Sequence, residues 1–126
     1  ALPFINQCTI SYSADDGINA TVEGDLRITN STVRNSEGHG VYCRVQGNTA
    51  GNDCHLSDNT IIGNSNSGIY LSPEWTNSAT VLDNVISNNS GSGIYIDPSV
   101  EPGSLVISRN TISIPILPLC GQIPNL

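Results

Sequence analysis

Residues 53–71 read DCHLSDNTIIGNSNSGIYL and contain one unit of a repeat that runs along the chain. The unit ends in a glycine followed by an apolar, an outward-facing and a second apolar residue. This ending recurs from Gly17, Gly40, Gly68 and Gly93, at spacings of 23, 28 and 25 residues. A period of this length is typical of a solenoid, in which each unit forms one coil that stacks on the next. Residues at equal repeat positions are therefore predicted to be neighbours in space.

A second column of the repeat fixes its register. Nine residues before each landmark glycine lie Cys8, Ser31, Asn59 and Asn84, and Asn110 continues the column. Aliphatic residues flank every member of this column, although only 37% of the chain is hydrophobic. Asparagine tolerates left-handed backbone angles, and its amide can donate and accept hydrogen bonds along a stack. The column therefore predicts a turn at the asparagine and a ladder of amides. The glycine predicts a second bend, where a side chain would crowd the next coil.

The segments between the turns predict short strands rather than helices. No segment shows a sustained 3.6-residue apolar stripe, whereas Ile69-Tyr70-Leu71 and Ile94-Tyr95-Ile96 alternate with the period of a strand. These residues resemble the right-handed parallel β-helix repeat of the pectate-lyase-like superfamily, I-x-x-N-x-I-x-x-N…G-I-Y-L. The resemblance implies an all-β fold, a short right-handed parallel β-helix of about five coils over residues 1–114. Residues 115–126 are expected to form an irregular Pro-rich tail that caps the last coil. The superfamily includes lyases, hydrolases, epimerases, tailspikes and non-enzymatic surface proteins, so it does not imply one function.

The composition excludes some classes of partner. The formal net charge is −7, and all four basic residues are arginines. Nucleic acids and anionic membranes are both bound through dense basic patches, so neither is expected as a partner. An acidic, lysine-free chain rich in Asn, Ser, Thr and Gly favours an extracellular or cell-surface location. Asn19, Asn30 and Asn88 match the N-glycosylation pattern. The absence of an initiator Met fits a processed chain or a fragment of a longer solenoid.

The four cysteines suggest one disulfide. Cys43 ends a strand and Cys54 opens the next coil, which predicts a disulfide between them, with two buried thiols as the alternative. Cys8 and Cys120 are several coils apart, too far to pair within one regular solenoid. They could approach each other only if molecules associate end to end. No cofactor is expected, and the Cys and His spacings match no zinc pattern. Calcium at Asp15 and Asp16, or in the loop 97–101, is a weaker alternative.

Two repeat units carry residues that suggest an enzyme. Asp16 and His39 each precede a landmark glycine, so they are predicted to stack on adjacent coils. Asp15, Asp16 and the sequence Gly38-His39-Gly40 look partly like the active site of polygalacturonase-type glycoside hydrolases. That resemblance implies catalytic roles for Asp15, Asp16 and His39. However, Ile69-Tyr70-Leu71 stands where the family has Arg-Ile-Lys, and no coil precedes Asp15 to supply the family's first aspartate. The alternative is that both sequences are ordinary turns.

The outward column of the repeat is the candidate for binding. It contains Asn19, Tyr42, Tyr70 and Tyr95, and Trp75 lies in a neighbouring loop. Aromatic side chains of this kind can pack against sugar rings. A cross-strand aromatic ladder that only stabilises the sheet is the alternative. The favoured function is a non-catalytic extracellular segment with a structural, adhesive or glycan-binding role, able to associate end to end. A polysaccharide-active glycoside hydrolase or lyase, or a fragment of one, is the competing hypothesis.

Overall fold

The computed structural model describes residues 4–46, 52–73, 77–98 and 104–113, which form a parallel β-solenoid. Short alternating segments between bends give short strands, as the sequence predicts. The described strands are β1 (Phe4–Asn6), β2 (Thr9–Ser11), β3 (Ile18–Val22), β4 (Leu26–Thr29), β5 (Thr32–Arg34), β6 (Val41–Val45), β7 (Asp53–Ser57), β8 (Thr60–Ile62), β9 (Ile69–Pro73), β10 (Ser78–Leu82), β11 (Val85–Ser87), β12 (Ile94–Ile96), β13 (Ser104–Ser108) and β14 (Thr111–Ser113). Within these ranges, no helix is long and apolar enough to cross a membrane.

The strands form three parallel sheets that run along the solenoid axis. The first sheet has the order β1-β4-β7-β10-β13, the second β2-β5-β8-β11-β14, and the third β3-β6-β9-β12. Equivalent residues of successive coils pair directly, as in Ile28 with Leu56 and Val41 with Ile69. The described chain thus makes four complete turns and the first two strands of a fifth. This confirms the predicted fold class and repeat register.

The core is a set of aliphatic columns inside the coils. Each wall contributes one row of side chains, because alternate residues of a strand point inward. Ile28, Leu56 and Val81 lie in one such column and are fully buried. Ile61 and Ile86 form part of a second column on the neighbouring wall and are also fully buried. The flanking aliphatic residues of the repeat therefore form the core.

Buried asparagines form a ladder at the turn between the first and second sheets. The Oδ1 atom of Asn84 accepts hydrogen bonds from the backbone N–H and from Nδ2 of Asn59, at 2.9 and 3.0 Å. Asn110 accepts from Asn84 in the same way, at 3.0 and 2.9 Å. Each amide also donates to a backbone carbonyl; for Asn84 this is Leu56 O at 3.0 Å. Asn64 and Asn89 form a second ladder with the same bonding, five residues further along each coil. The predicted amide ladder is confirmed.

The predicted turn is present, but the ladder asparagine is not its left-handed residue. The left-handed residue comes one position earlier, at Gln7, Asn30, Asp58, Asp83 and Arg109, with φ between 51° and 57°. The physical reason is that the ladder asparagine must point inward for its amide to reach the next coil. The preceding residue makes the bend instead, and its side chain is exposed in all five coils.

The predicted Cys43–Cys54 disulfide is present. It connects β6 to β7 across a sequence separation of 11 residues, and both half-cystines are buried. In the chain-entropy model, closing a loop of roughly this length stabilises the fold by about 3 kcal/mol. The disulfide links a strand of the third sheet in one coil to a strand of the first sheet in the next coil.

Candidate functional site

Three tyrosines stack on the outer face of the third sheet, as the repeat predicts. Tyr42 pairs with Tyr70, and Tyr70 pairs with Tyr95, in the register of β6, β9 and β12. The ring centroids of Tyr42 and Tyr70 are 5.0 Å apart with an interplanar angle of 16°. Those of Tyr70 and Tyr95 are 5.1 Å apart at 30°. Tyr42, Tyr70 and Tyr95 together are termed the tyrosine ladder.

The stacking determines which aromatic surface a ligand can reach. Both faces of Tyr70 lie against other tyrosine rings, so the ladder presents mainly ring edges along its length. Tyr95 is 39% exposed, and among the described residues no further ring stacks on its outer face. The ladder therefore does not present three ring faces to solvent. Its accessible aromatic surface is concentrated at Tyr95.

A small open cavity lies beside the ladder. It has a volume of about 260 Å³ and is lined by His39, Asn66, Ser67, Tyr70 and Tyr95, which together are termed the tyrosine pocket. The ring of His39 lies 5.0 Å from that of Tyr70, inclined by 49°. Asn66 and Ser67, in the turn before β9, supply the non-aromatic lining. The pocket therefore combines two phenol rings with an imidazole, a carboxamide and a hydroxyl.

The polar groups of the pocket are only partly used within the fold. The Nδ1 atom of His39 is buried and has no hydrogen-bond partner among the described residues. Asn66 accepts a hydrogen bond from the Ser67 backbone N–H at 3.1 Å through Oδ1. Among the described residues, the Nδ2 atom of Asn66 has no hydrogen-bond partner, and Asn66 is exposed. An incoming hydroxyl could pair with the exposed carboxamide of Asn66, whereas His39 Nδ1 is closed to solvent.

A carboxylate lies next to the ladder. The hydroxyl of Tyr70 donates a hydrogen bond to Oδ2 of Asp97 at 3.2 Å. Asp97 directly follows β12, where its backbone N–H donates to Leu71 O at 2.9 Å. Burial of the phenol, and secondly the Asp97 carboxylate, raise the pKa of Tyr70. The hydroxyl consequently stays protonated at neutral pH and remains the donor of this bond.

Asp16 and His39 lie on adjacent coils, as predicted, but they contact each other through the backbone. The Asp16 Oδ1 atom accepts a hydrogen bond from the backbone N–H of His39 at 2.7 Å. Its Oδ2 atom accepts from Nδ2 of Asn19 at 2.9 Å. The ring of His39 instead packs against Tyr42 and Tyr70. Asp15 is exposed, and its backbone carbonyl accepts from Gly38 N at 3.0 Å. Asp16 thus ties two turns together, and catalytic roles for the three residues stay a prediction.

Several other predicted residues are not part of this site. Trp75 and Cys120 lie outside the described residues. Cys8 is an exposed free thiol, so its pairing with Cys120 of another molecule stays a prediction, as does end-to-end association. Among the described residues no group of three or more His, Cys, Asp or Glu side chains could hold a metal ion. Glycosylation of the exposed residues Asn19, Asn30 and Asn88 also stays a prediction.

The stacked coils, the amide ladders and the outward tyrosines define a parallel β-solenoid. Residues 5–115 match the family model described as "Right handed beta helix region". Because the match covers most of the chain, the protein belongs to this family. No similar curated protein and no similar solved structure was found.

The pocket is the part of the site that sequence reasoning missed. Asn66 and Ser67 looked like ordinary turn residues, and no single-residue signal separates them from the other turns. Their repeat positions are informative, however. Ser67 occupies the same position as Asp16 and His39, directly before a landmark glycine. An alignment of the turns as well as the strands places Asp16, His39 and Ser67 in one column.

Proposed function

We propose that this chain is a non-catalytic, extracellular β-helix segment that binds a glycan in the tyrosine pocket. The observation that carries the proposal is the pocket itself, in which two tyrosines lie beside a histidine ring with a buried, unpartnered nitrogen. Buried polar groups without partners are rare in folded proteins, and ligand sites are one of the places where they occur. A rigid solenoid keeps these groups in fixed positions.

The chemistry of the pocket favours a sugar. A sugar ring has apolar C–H faces and a rim of hydroxyls, so it needs both aromatic surface and groups that donate and accept hydrogen bonds. Tyr95 offers an accessible ring face, while Asn66, Ser67 and His39 offer the polar groups. A volume of about 260 Å³ lies just below the usual range of roughly 300–1,000 Å³ for drug-sized ligands. This size suits one sugar unit of a longer chain that continues over the open surface.

The disulfide supports an extracellular location. Disulfides persist in oxidising compartments and are rare in the cytosol, and the Cys43–Cys54 bond is buried within the fold. The acidic, lysine-free composition points the same way. Adhesion to a glycan-bearing surface is the role that this combination supports best.

Substituting Tyr95 tests the proposal. We expect Tyr95→Ala to weaken binding to a glycan about tenfold, because an aromatic contact contributes on the order of 1 kcal/mol beyond its buried area. Calorimetry on glycans selected from an array with the wild-type protein would measure the change. Tyr12→Asn is the matched control, since it removes an exposed tyrosine of the first coil that lies outside the pocket. Asn35 and Asn88 share the left-handed angle of Tyr12, so asparagine fits there. Equal binding by wild type and Tyr95→Ala would contradict the proposal.

The catalytic alternative is supported by the stacking of Asp15, Asp16 and His39 on adjacent coils. Hydrolysis requires one carboxyl group to protonate the leaving oxygen and another to activate water. Both oxygens of Asp16 already accept hydrogen bonds within the fold, which favours a structural role. We expect no new reducing ends from polygalacturonate or neutral polysaccharides incubated with the protein. Release of reducing ends that Asp16→Asn abolishes would replace the binding function with a hydrolytic one.

A further inference from the structure

The charged groups beside the tyrosine pocket are carboxylates. Asp97 bonds to the hydroxyl of Tyr70, one of the pocket residues. On the other side, the backbone N–H of His39 is bound by the Asp16 carboxylate. Asp15 and Glu37 are exposed on the neighbouring turns, and the whole chain has a formal net charge of −7. An anion that enters the pocket therefore approaches charges of its own sign.

No arginine or lysine is among the described residues that line the pocket. Arg44 is the basic residue of the outer face of the third sheet, and it lies on the next outward column, between Thr21 and Ser72. Proteins that bind a sugar carboxylate usually present an arginine or lysine to it, because an uncompensated charge is costly to desolvate. The pocket lining offers neutral donors and acceptors instead.

Uncharged sugars fit these surroundings better than acidic ones. A sugar hydroxyl can donate to and accept from the carboxamide of Asn66, which lines the pocket. The Asp97 carboxylate lies one hydrogen bond behind Tyr70 and would repel a uronate or sialate. Its charge thereby selects against the acidic class of sugar.

We propose that the tyrosine pocket takes an uncharged hexose unit and discriminates against the corresponding uronic acid; this inference rests on the glycan-binding function proposed above. The Asp97 carboxylate, held by Tyr70, is the main source of the discrimination. Asn66 supplies a neutral polar contact.

Matched pairs of polysaccharides test this selectivity directly. Each pair has one hexose stereochemistry and one linkage and differs only in oxidation at C6: polygalacturonate, polymannuronate and a glucuronan are each compared with their own carboxyl-reduced form. Affinities are measured with oligosaccharides of equal length at pH 7.5 and low ionic strength. We expect the neutral member of the pair that binds best to bind at least about tenfold more tightly. Added salt should narrow this difference, because screening weakens charge repulsion.

A charge variant identifies the source of the discrimination. Asp97→Asn retains an acceptor for the Tyr70 hydroxyl but removes the charge, so we expect the neutral-to-uronate ratio to fall several-fold. Asp58→Asn is the matched control, because it removes one exposed carboxylate at the turn between β7 and β8, outside the pocket. Asp58 has a left-handed backbone, which asparagine also adopts. This control should leave the ratio unchanged.

The outcomes separate this inference from the function on which it rests. If the uronate member binds equally or more tightly, and Tyr95→Ala weakens that binding, the selectivity is wrong and the glycan-binding function stands. If no member of any pair and no other arrayed glycan binds, the glycan-binding function itself is wrong. If Asp97→Asn changes the ratio no more than Asp58→Asn does, the assignment to Asp97 is overturned.

Discussion

Gly40→Ala is expected to destabilise the protein by about 3 kcal/mol or more, at the upper end of the cost of overpacking a tight interior. A Cβ atom at this position would lie 2.6 Å from the backbone oxygen of Gly68 and 2.8 Å from Nδ2 of Asn64. The Gly68 oxygen accepts the Val41 N–H at 2.8 Å, so it cannot retreat without lengthening a bond between coils. Chemical denaturation of the oxidised protein would measure the change in unfolding free energy.

Gly24 provides the matched control for this substitution. No heavy atom lies within 4 Å of a Cβ built at Gly24, and its backbone is not left-handed. Gly24→Ala should therefore be neutral or stabilise the fold by about 0.4–1 kcal/mol, because alanine restricts the unfolded chain. A Gly40→Ala variant as stable as Gly24→Ala would show that the coils can separate locally. In that case, the glycine column would not limit the spacing of the coils.

The coil architecture was predictable because the repeat expresses simple steric rules. The inward positions of the strands hold aliphatic residues or the half-cystines Cys43 and Cys54, and the landmark glycine directly touches the backbone of the next coil. Both constraints act at every turn, so each leaves a column in the sequence that chance does not reproduce. The Cys43–Cys54 disulfide was predictable for a related reason. Both residues are buried at inward positions on strands that follow one another along the chain.

The residue that makes the bend was not predictable from the sequence, because two adjacent residues of a turn can both tolerate the left-handed conformation. Asp58-Asn59 and Asp83-Asn84 each contain two residue types that tolerate left-handed angles. Only the requirement that the second residue reach inward decides between them, and that requirement depends on the three-dimensional path. Gln7 and Arg109 make the same bend although their types do not favour it. Their backbone conformation is imposed by the neighbouring coil.

The candidate site was predictable only in part. The column of tyrosines followed from the register, but the direction in which their faces point did not. Stacked rings at 5.0 Å cover one another, and this hides the face of Tyr70 that the sequence suggested as a contact surface. The pocket also depends on turn residues, and their side chains carry no periodic signal. Binding surfaces on a solenoid are therefore harder to predict from sequence than its core.

Asn84→Ala is expected to destabilise the protein by about 3–5 kcal/mol, because it leaves several buried polar groups without partners at roughly 1–3 kcal/mol each. Asn84 is 1% exposed. Its side chain accepts from the backbone N–H and Nδ2 of Asn59, and it donates to Leu56 O and Asn110 Oδ1. Asn59 and Leu56 are buried, so water cannot reach their freed groups without opening the coil. Denaturant titration of the variant against wild type would measure the loss.

Asn110→Ala compares a partly buried member of the ladder with the buried Asn84. Asn110 makes three of the four kinds of side-chain hydrogen bond that Asn84 makes, accepting from Asn84 at 3.0 and 2.9 Å and donating to Val81 O at 2.9 Å. It is only partly buried, at the last described position of the ladder, so water can replace the lost amide. We expect Asn110→Ala to cost less than half as much as Asn84→Ala. Equal costs would mean that the bonds themselves stabilise the turn. A cost for Asn110→Ala below half that of Asn84→Ala would mean that burial sets most of the penalty. The interior asparagines would then be needed because the backbone groups they satisfy have no other partner inside the coil.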